Sequence, residues 1–337
     1  MMKNKIIRNM AIPGVLALLA IIVPTILIKA GAINAYTAQI LTLGGINALM
    51  ALSVNMICGI TGQLSLGQAG FEALGAYSVI ILTQNIGIPL PVSIIIAALI
   101  AAFFGFLLVF PTLKHEGDYL AIVTLAFGEI IRVVLVNLKG ITGGPNGKQF
   151  PSVFTTNLEW GPTLSYFVII GSLVAVIVLV LNFIHSTYGR AILAVREDEI
   201  AANSNGISVF KYKMVGFVIA SLIAGFAGAL YAPFIGFIKP DLASFNNSIN
   251  DLIFVVLGGM GSVTGSILAA FVLTYLQEFL RFLQNYRLLI YPVILILVML
   301  FRPQGLMGMR EVSFVKIWDG LPGFFKKLCS KFKKEKV

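Results

Sequence analysis

The chain has 337 residues, 58% of them hydrophobic and 11% charged, and a formal net charge of +10. Soluble domains run at about 45–50% apolar and about 25% charged, so this composition excludes a water-soluble fold around one core. Apolar runs close to the roughly 20 residues that carry a helix across the hydrocarbon of a bilayer, without the ten-residue alternation of a membrane barrel, predict an all-α polytopic transmembrane bundle.

In chain order, spans are predicted at residues 10–28, 36–59, 64–83, 88–110, 119–138, 164–184 and 214–238, then in three shorter runs at 248–260, 263–280 and 288–301. The count stands at about eight to ten, because the glycine-rich stretch 248–265 reads either as a crossing or as a re-entrant or broken helix. Lys3, Lys5 and Arg8 before the first run imitate a signal peptide, but that run exceeds an ordinary signal core and reads as an uncleaved span. In this topology 17 of the 24 Lys and Arg residues fall on one side and four on the other. That asymmetry places both termini and the 186–213 loop in the cytoplasm of a multi-pass protein. The organisation is then a transmembrane domain over 1–302, including the 186–213 loop, and a basic tail over 303–337. The tail interleaves Lys326, Lys327, Lys331, Lys333, Lys334 and Lys336 with Phe324, Phe325 and Phe332. It reads as a strip lying on anionic membrane lipids or as a solvated end.

Nucleic acid is excluded as a partner, since the cations are dispersed over short loops without a binding motif. Cys58 and Cys329 form no redox or metal spacing, and His115 and His185 belong to no HExxH helix, so neither a catalytic residue nor a metal site is predicted. The loop 139–162 holds Gly147-Lys148, but a P-loop would need Gly at 142 and Ser or Thr at 149, where Thr142 and Gln149 stand. Its Gly, Pro and Asn residues predict a tight turn on the outer side, open to an external partner.

Small residues recur every four positions at Ser65, Ala69 and Ala73, at Ser221, Gly225 and Ala229 beside Ala224, Gly228 and Ala232, and at Gly261, Gly265 and Ala269. Such ridges let helices approach backbone to backbone. Ionisable groups inside spans say more, since an isolated charge at mid-bilayer costs at least about 2.5 kcal/mol. Glu129 with Arg132, and Glu278 with Arg281, fall at i,i+3 and read either as local neutralisation or as a transport relay. Glu72 has no such neighbour. It lies in a polar stretch with Gln63, Ser65 and Gln68, and these four, with Thr124 and Glu129, are the candidate lining of a translocation path; inter-helix hydrogen bonding is the competing account.

The loop 186–206 is too charged to cross a bilayer, yet amphipathic and helix-compatible between a possible cap at Ser186 or Thr187 and a stop at Gly206. A short helix in the membrane plane, offering a surface to a soluble partner, is predicted. Tyr188, Gly189, Arg190, Arg196, Glu197, Glu199, Ala201, Ala202 and Gly206 are the candidate residues of that surface, with a solvated connector as the alternative.

Taken together, the stretches 62–77, 117–132, 142–147, 188–206, 224–232 and 258–262 resemble the permease subunits of bacterial branched-chain amino acid ABC importers of the LivM type, within the hydrophobic amino acid and urea importer superfamily. The resemblance runs from about residue 41 to 306. It implies a path without enzymatic activity of its own, in a bacterial plasma membrane, working by alternating access. The implied partners are a second permease subunit, two cytoplasmic ATPases that bind ATP and magnesium, and an extracytoplasmic substrate-binding protein. The 188–206 loop then corresponds to the coupling helix. Ala201, Ala202 and Gly206 fit the Glu-Ala-Ala-x-x-x-Gly pattern of such permeases, while Ile200 occupies the Glu position and Glu199 falls one residue early. Glu72 stands where the resemblance implies an apolar residue, which leaves urea or a short amide open as the solute. A stand-alone ion-coupled carrier using Glu72, Glu129 and Glu278 is the remaining alternative.

Overall fold

The computed structural model describes residues 18–19, 21–113, 119–151, 154, 161–302 and 304–308. The basic N-terminus, the start of the first predicted span, His115, Cys329 and the lysine-rich tail lie outside the described residues.

After a helical segment at 21–29, eleven helices are described: α1 (Ala35–Val54), α2 (Gln68–Gln84), α3 (Leu90–Thr112), α4 (Tyr119–Asn137), α5 (Gly161–His185), α6 (Thr187–Glu197), α7 (Glu199–Ser204), α8 (Val209–Ile235), α9 (Phe245–Gly258), α10 (Val263–Phe279) and α11 (Arg287–Phe301). Single helical turns join some of them, and β1 (Lys148–Gln149) pairs antiparallel with β2 (Phe237–Ile238). Six stretches, Ala35–Ile60, Leu90–Thr112, Tyr119–Asn137, Gly161–His185, Val209–Ile235 and Val263–Gln284, are long and apolar enough to cross a membrane. The all-α polytopic bundle expected from composition is therefore present.

Prolines mark the ends of α3: Pro91 stands in its first turn, where no intrahelical donor is lost, and Pro111 lies one residue before its end. Small residues decide which helices form the centre. α8 lies against α1, α2 and α3, and a Cβ on Gly75 of α2 would strike the carbonyl oxygen of Gly225 on α8. Gly228 lies in the same way under the Glu72 carbonyl, and Gly105 of α3 sits over Ser221. Lipid gives no hydrophobic drive for helices to associate, so this close van der Waals approach supplies it. Phe71 and Phe217 fill the same seam, with ring centroids 5.8 Å apart.

The stretch 248–265 resolves as two helices with a break between them. α9 has 14 residues, a rise of about 21 Å, short of a full crossing. It stops at Gly259 (φ +111°), and Gly261 (φ +91°) continues the turn, both in the left-handed range that only glycine adopts without strain. Ser262 restarts the chain as α10 by accepting a hydrogen bond from the Gly265 amide at 3.1 Å. A Cβ at Gly265 would collide with the Gly258 carbonyl, so the fourth predicted packing glycine closes this hairpin.

Candidate functional site

The polar stretch that delays the third predicted span follows the end of α1. There the chain widens into a π-helix, Asn55–Ile60, with the Thr61 amide donating to the Met56 carbonyl at 3.1 Å. Residues 61–67 then run without helix, so α2 begins at Gln68 and not at residue 64 as expected. Buried Thr124 of α4 braces this stretch: its hydroxyl accepts from the Leu66 amide at 3.1 Å and donates to Ala121 at 2.9 Å. The Ala69 amide, one of the free donors at the start of α2, finds the hydroxyl of Ser248 on α9 at 3.2 Å.

Gln63, Ser65, Gln68 and Glu72 are all buried along this route. Among the described residues, Ser65 Oγ, Gln63 Nε2 and both amide atoms of Gln68 have no hydrogen-bond partner. Glu72 lies within electrostatic reach of Asp251 on α9 and of Tyr231 on α8. The structure thus gathers Gln68, Glu72 and Thr124 where α2 meets α4, α8 and α9, while Ser65 and Gln63 are strung out along the non-helical approach from α1, Gln63 beside Thr61. Glu129 does not join them. It pairs with Arg132 at 2.7 Å and accepts from the Phe245 amide at 3.3 Å, so it sits at the N-terminus of α9 as a helix cap. Glu278 likewise pairs with Arg281 at 2.8 Å and takes a hydrogen bond from the Tyr36 hydroxyl. Local neutralisation accounts for both.

Sequence reasoning missed Ser248 and Asp251. The available signal was an acidic residue in an otherwise apolar run, three residues after a serine, which places both on one helix face.

The charged loop folds as two short helices in place of one. Ser186 accepts from the Gly189 amide at 3.2 Å and caps α6. At Asp198 the chain turns extended (φ −157°), and its carboxylate accepts from the Ile200 and Ala201 amides at 2.8 and 3.0 Å, starting α7 anew. Gly206 ends α7 at φ +79°, as its position predicted. One face of this pair looks outward: Tyr188, Arg190, Glu197, Glu199 and Ala201 are exposed, and Ile200 is 81% exposed. The other face looks into the bundle. Ala202 is buried, and Gly189 packs against the carbonyls that end α5. Glu199 is tied to Lys213 at the start of α8.

Arg196 belongs to the inner face. Its Nη1 donates to the Gly59 carbonyl at 2.5 Å, in the π-helix of α1. Gly62 lies against its aliphatic stem, and Gly261 is close enough that a Cβ there would come within 3.1 Å of Nη1. The Gly261 amide donates in turn to Asn55 Oδ1 at 2.8 Å. One guanidinium therefore bridges α6 to the widened end of α1 and to the turn after α9. Among the described residues no group of three or more His, Cys, Asp or Glu could hold a metal ion.

Residues 36–300 match the family model described as branched-chain amino acid transport system / permease component. The chain is 41% identical over 300 residues to the high-affinity branched-chain amino acid transport system permease protein LivM of Escherichia coli K12, covering 82% of this chain and 71% of that protein. It is 26% identical over 293 residues to the LivH permease protein of the corresponding system in Salmonella typhimurium, covering 81% and 95%. A probable LivM permease of Methanocaldococcus jannaschii is 22% identical over 244 residues, covering 68% and 70%. No solved structure matches.

Proposed function

The chain belongs to the permease-component family of branched-chain amino acid transport systems, and on that premise we propose that it forms the membrane path of an ATP-driven importer for hydrophobic amino acids. Its relatives are transport permeases and not enzymes. ATP is bound and hydrolysed by two cytoplasmic partner subunits, a second permease subunit completes the membrane part, and an extracytoplasmic binding protein delivers the solute. The protein lies in the bacterial plasma membrane with both termini inside, residues 1–302 forming the permease domain and 303–337 the basic tail.

The observation that carries this reading is the two-faced α6–α7 segment. Its exposed face, with Tyr188, Arg190, Glu197, Glu199 and Ile200, suits the cleft of a soluble subunit, while Arg196 on the other face grips the bundle. A motor can shift the equilibrium between inward- and outward-open states only by binding one of them better. A segment held by both parties transmits that preference. Movement of α6 reaches Gly59 and Gly261 through Arg196, and from there the polar centre through α1 and α9.

The test is uptake into vesicles. With binding protein outside and ATP inside, vesicles holding all subunits should accumulate leucine, and vesicles holding this chain alone should not. Leucine accumulation by this chain alone under an ion gradient would overturn the reading in favour of a carrier.

A further inference from the structure

Resting on that reading, we propose that Glu72, Asp251 and Gln68 form a buried site that takes the ammonium end of the transported amino acid. The three residues stand on facing helices. Gln68 and Glu72 are four apart on α2 and so share a face, and Ser248 and Asp251 are three apart on α9. The Ala69 to Ser248 hydrogen bond fixes the two helices against each other one turn away. Glu72 and Asp251 are 6% and 7% exposed and Gln68 is fully enclosed.

Neither carboxyl has a basic partner among the described residues. Arg132 is held by Glu129, Arg281 by Glu278 and Lys213 by Glu199, while Arg196 serves the Gly59 carbonyl. Asp251 Oδ2 and the side-chain amide of Gln68 make no hydrogen bond among the described residues. Two uncompensated carboxylates in so dry a place are costly, and an unsatisfied amide adds to the cost. A cationic group with several donors relieves all of these at once.

An alkylammonium has three N–H donors. Asp251 Oδ2 and Gln68 Oε1 are two buried acceptors without donors among the described residues, and Glu72, within electrostatic reach of Asp251, offers a third acceptor. The leftover donor of the same amide, Gln68 Nε2, suits the carboxylate end of a zwitterion. The site also has a means of opening. α9, which carries Asp251, ends in the Gly259–Gly261 turn that Asn55 and Arg196 contact, so a shift of α6 would move one carboxyl relative to the other.

The experiment uses the complete transporter in proteoliposomes. Glu72→Gln and Asp251→Asn should each lower the kcat for leucine at least tenfold, while Glu72→Asp keeps at least a third of it. Wild-type uptake by Glu72→Gln would overturn the site and leave the transport reading standing; absence of ATP-dependent leucine uptake by the unaltered complex would sink both. Should the variants fail to assemble, the unaltered complex still decides by labelling with an apolar carbodiimide, which reacts with buried carboxyls. Leucinamide, which keeps the ammonium, should protect Glu72 and Asp251 at least fivefold, and 4-methylpentanoate, which lacks it, should not. Equal protection by ammonium chloride at the same concentration would assign the site to a free cation and overturn the proposal.

Discussion

Acidic groups occur in two settings within the bundle. Glu129 and Glu278 each precede an arginine by three residues and pair with it, at 2.7 and 2.8 Å, on the flank of a single helix. Glu72 and Asp251 sit on different helices, nearly enclosed, with no arginine or lysine between them among the described residues. The first setting is neutralised by the sequence next door, with one added hydrogen bond from another element, the Phe245 amide for Glu129 and the Tyr36 hydroxyl for Glu278. The second exists only because α8 and α9 both pack on α2, and the glycines that let α8 approach α2 are part of the site.

The strongest challenge to this contrast is at Gly228. A side chain there meets the backbone carbonyl of Glu72, which cannot move aside as a flexible side chain would. Gly228→Leu should therefore abolish assembly, read as loss of the partner subunits on affinity purification, since overpacking against backbone costs about 3 kcal/mol or more. Normal assembly would mean that the central helices are less tightly joined than described.

Next in size comes Arg196→Ala. It breaks the bridge from α6 to Gly59 and the Gly261 turn while leaving the outward face of α6–α7 intact. Leucine moved per ATP hydrolysed should fall about tenfold, with the ATPases still bound, and Arg196→Lys should recover part of it. A proportional fall in ATP hydrolysis and uptake would instead point to lost contact with the motor.

Glu129→Gln then separates the two settings directly. Losing one half-exposed ion pair should lower stability by about 0.5 kcal/mol, seen as a small drop in thermal midpoint, with uptake within twofold of normal. Glu278→Gln, at an exposed pair, should change neither uptake nor midpoint measurably. Loss of uptake in either variant would return these carboxylates to a relay and erase the distinction.

Much of this was readable from the chain. Apolar runs located the long helices, because helix length and bilayer thickness are tied together. The polar stretch around Glu72 and the caps at Ser186 and Gly206 depend on local chemistry and were legible; glycines 225, 228 and 265 lie at close helix approaches, whereas Gly261 lies in the turn between α9 and α10 and not on a helix ridge. What escaped was tertiary. Asp251 gains meaning only when α9 faces α2. The inward turn of Arg196 depends on a π-helix in α1 that no hydrophobic period announces. Asp198 splits the coupling segment because its carboxylate competes for two amides, a choice a charged run does not reveal.

The measurement that bears most directly on the central claim is site-directed crosslinking at Ile200, which is 81% exposed on α7. With Ile200→Cys in an otherwise cysteine-free complex, a short bifunctional reagent should join this chain to an ATP-hydrolysing subunit, faster in one nucleotide state than in the other, and a membrane-impermeant thiol label should reach the position only from the cytoplasmic side. Labelling from outside the cell, or crosslinks that never include an ATPase, would contradict the account.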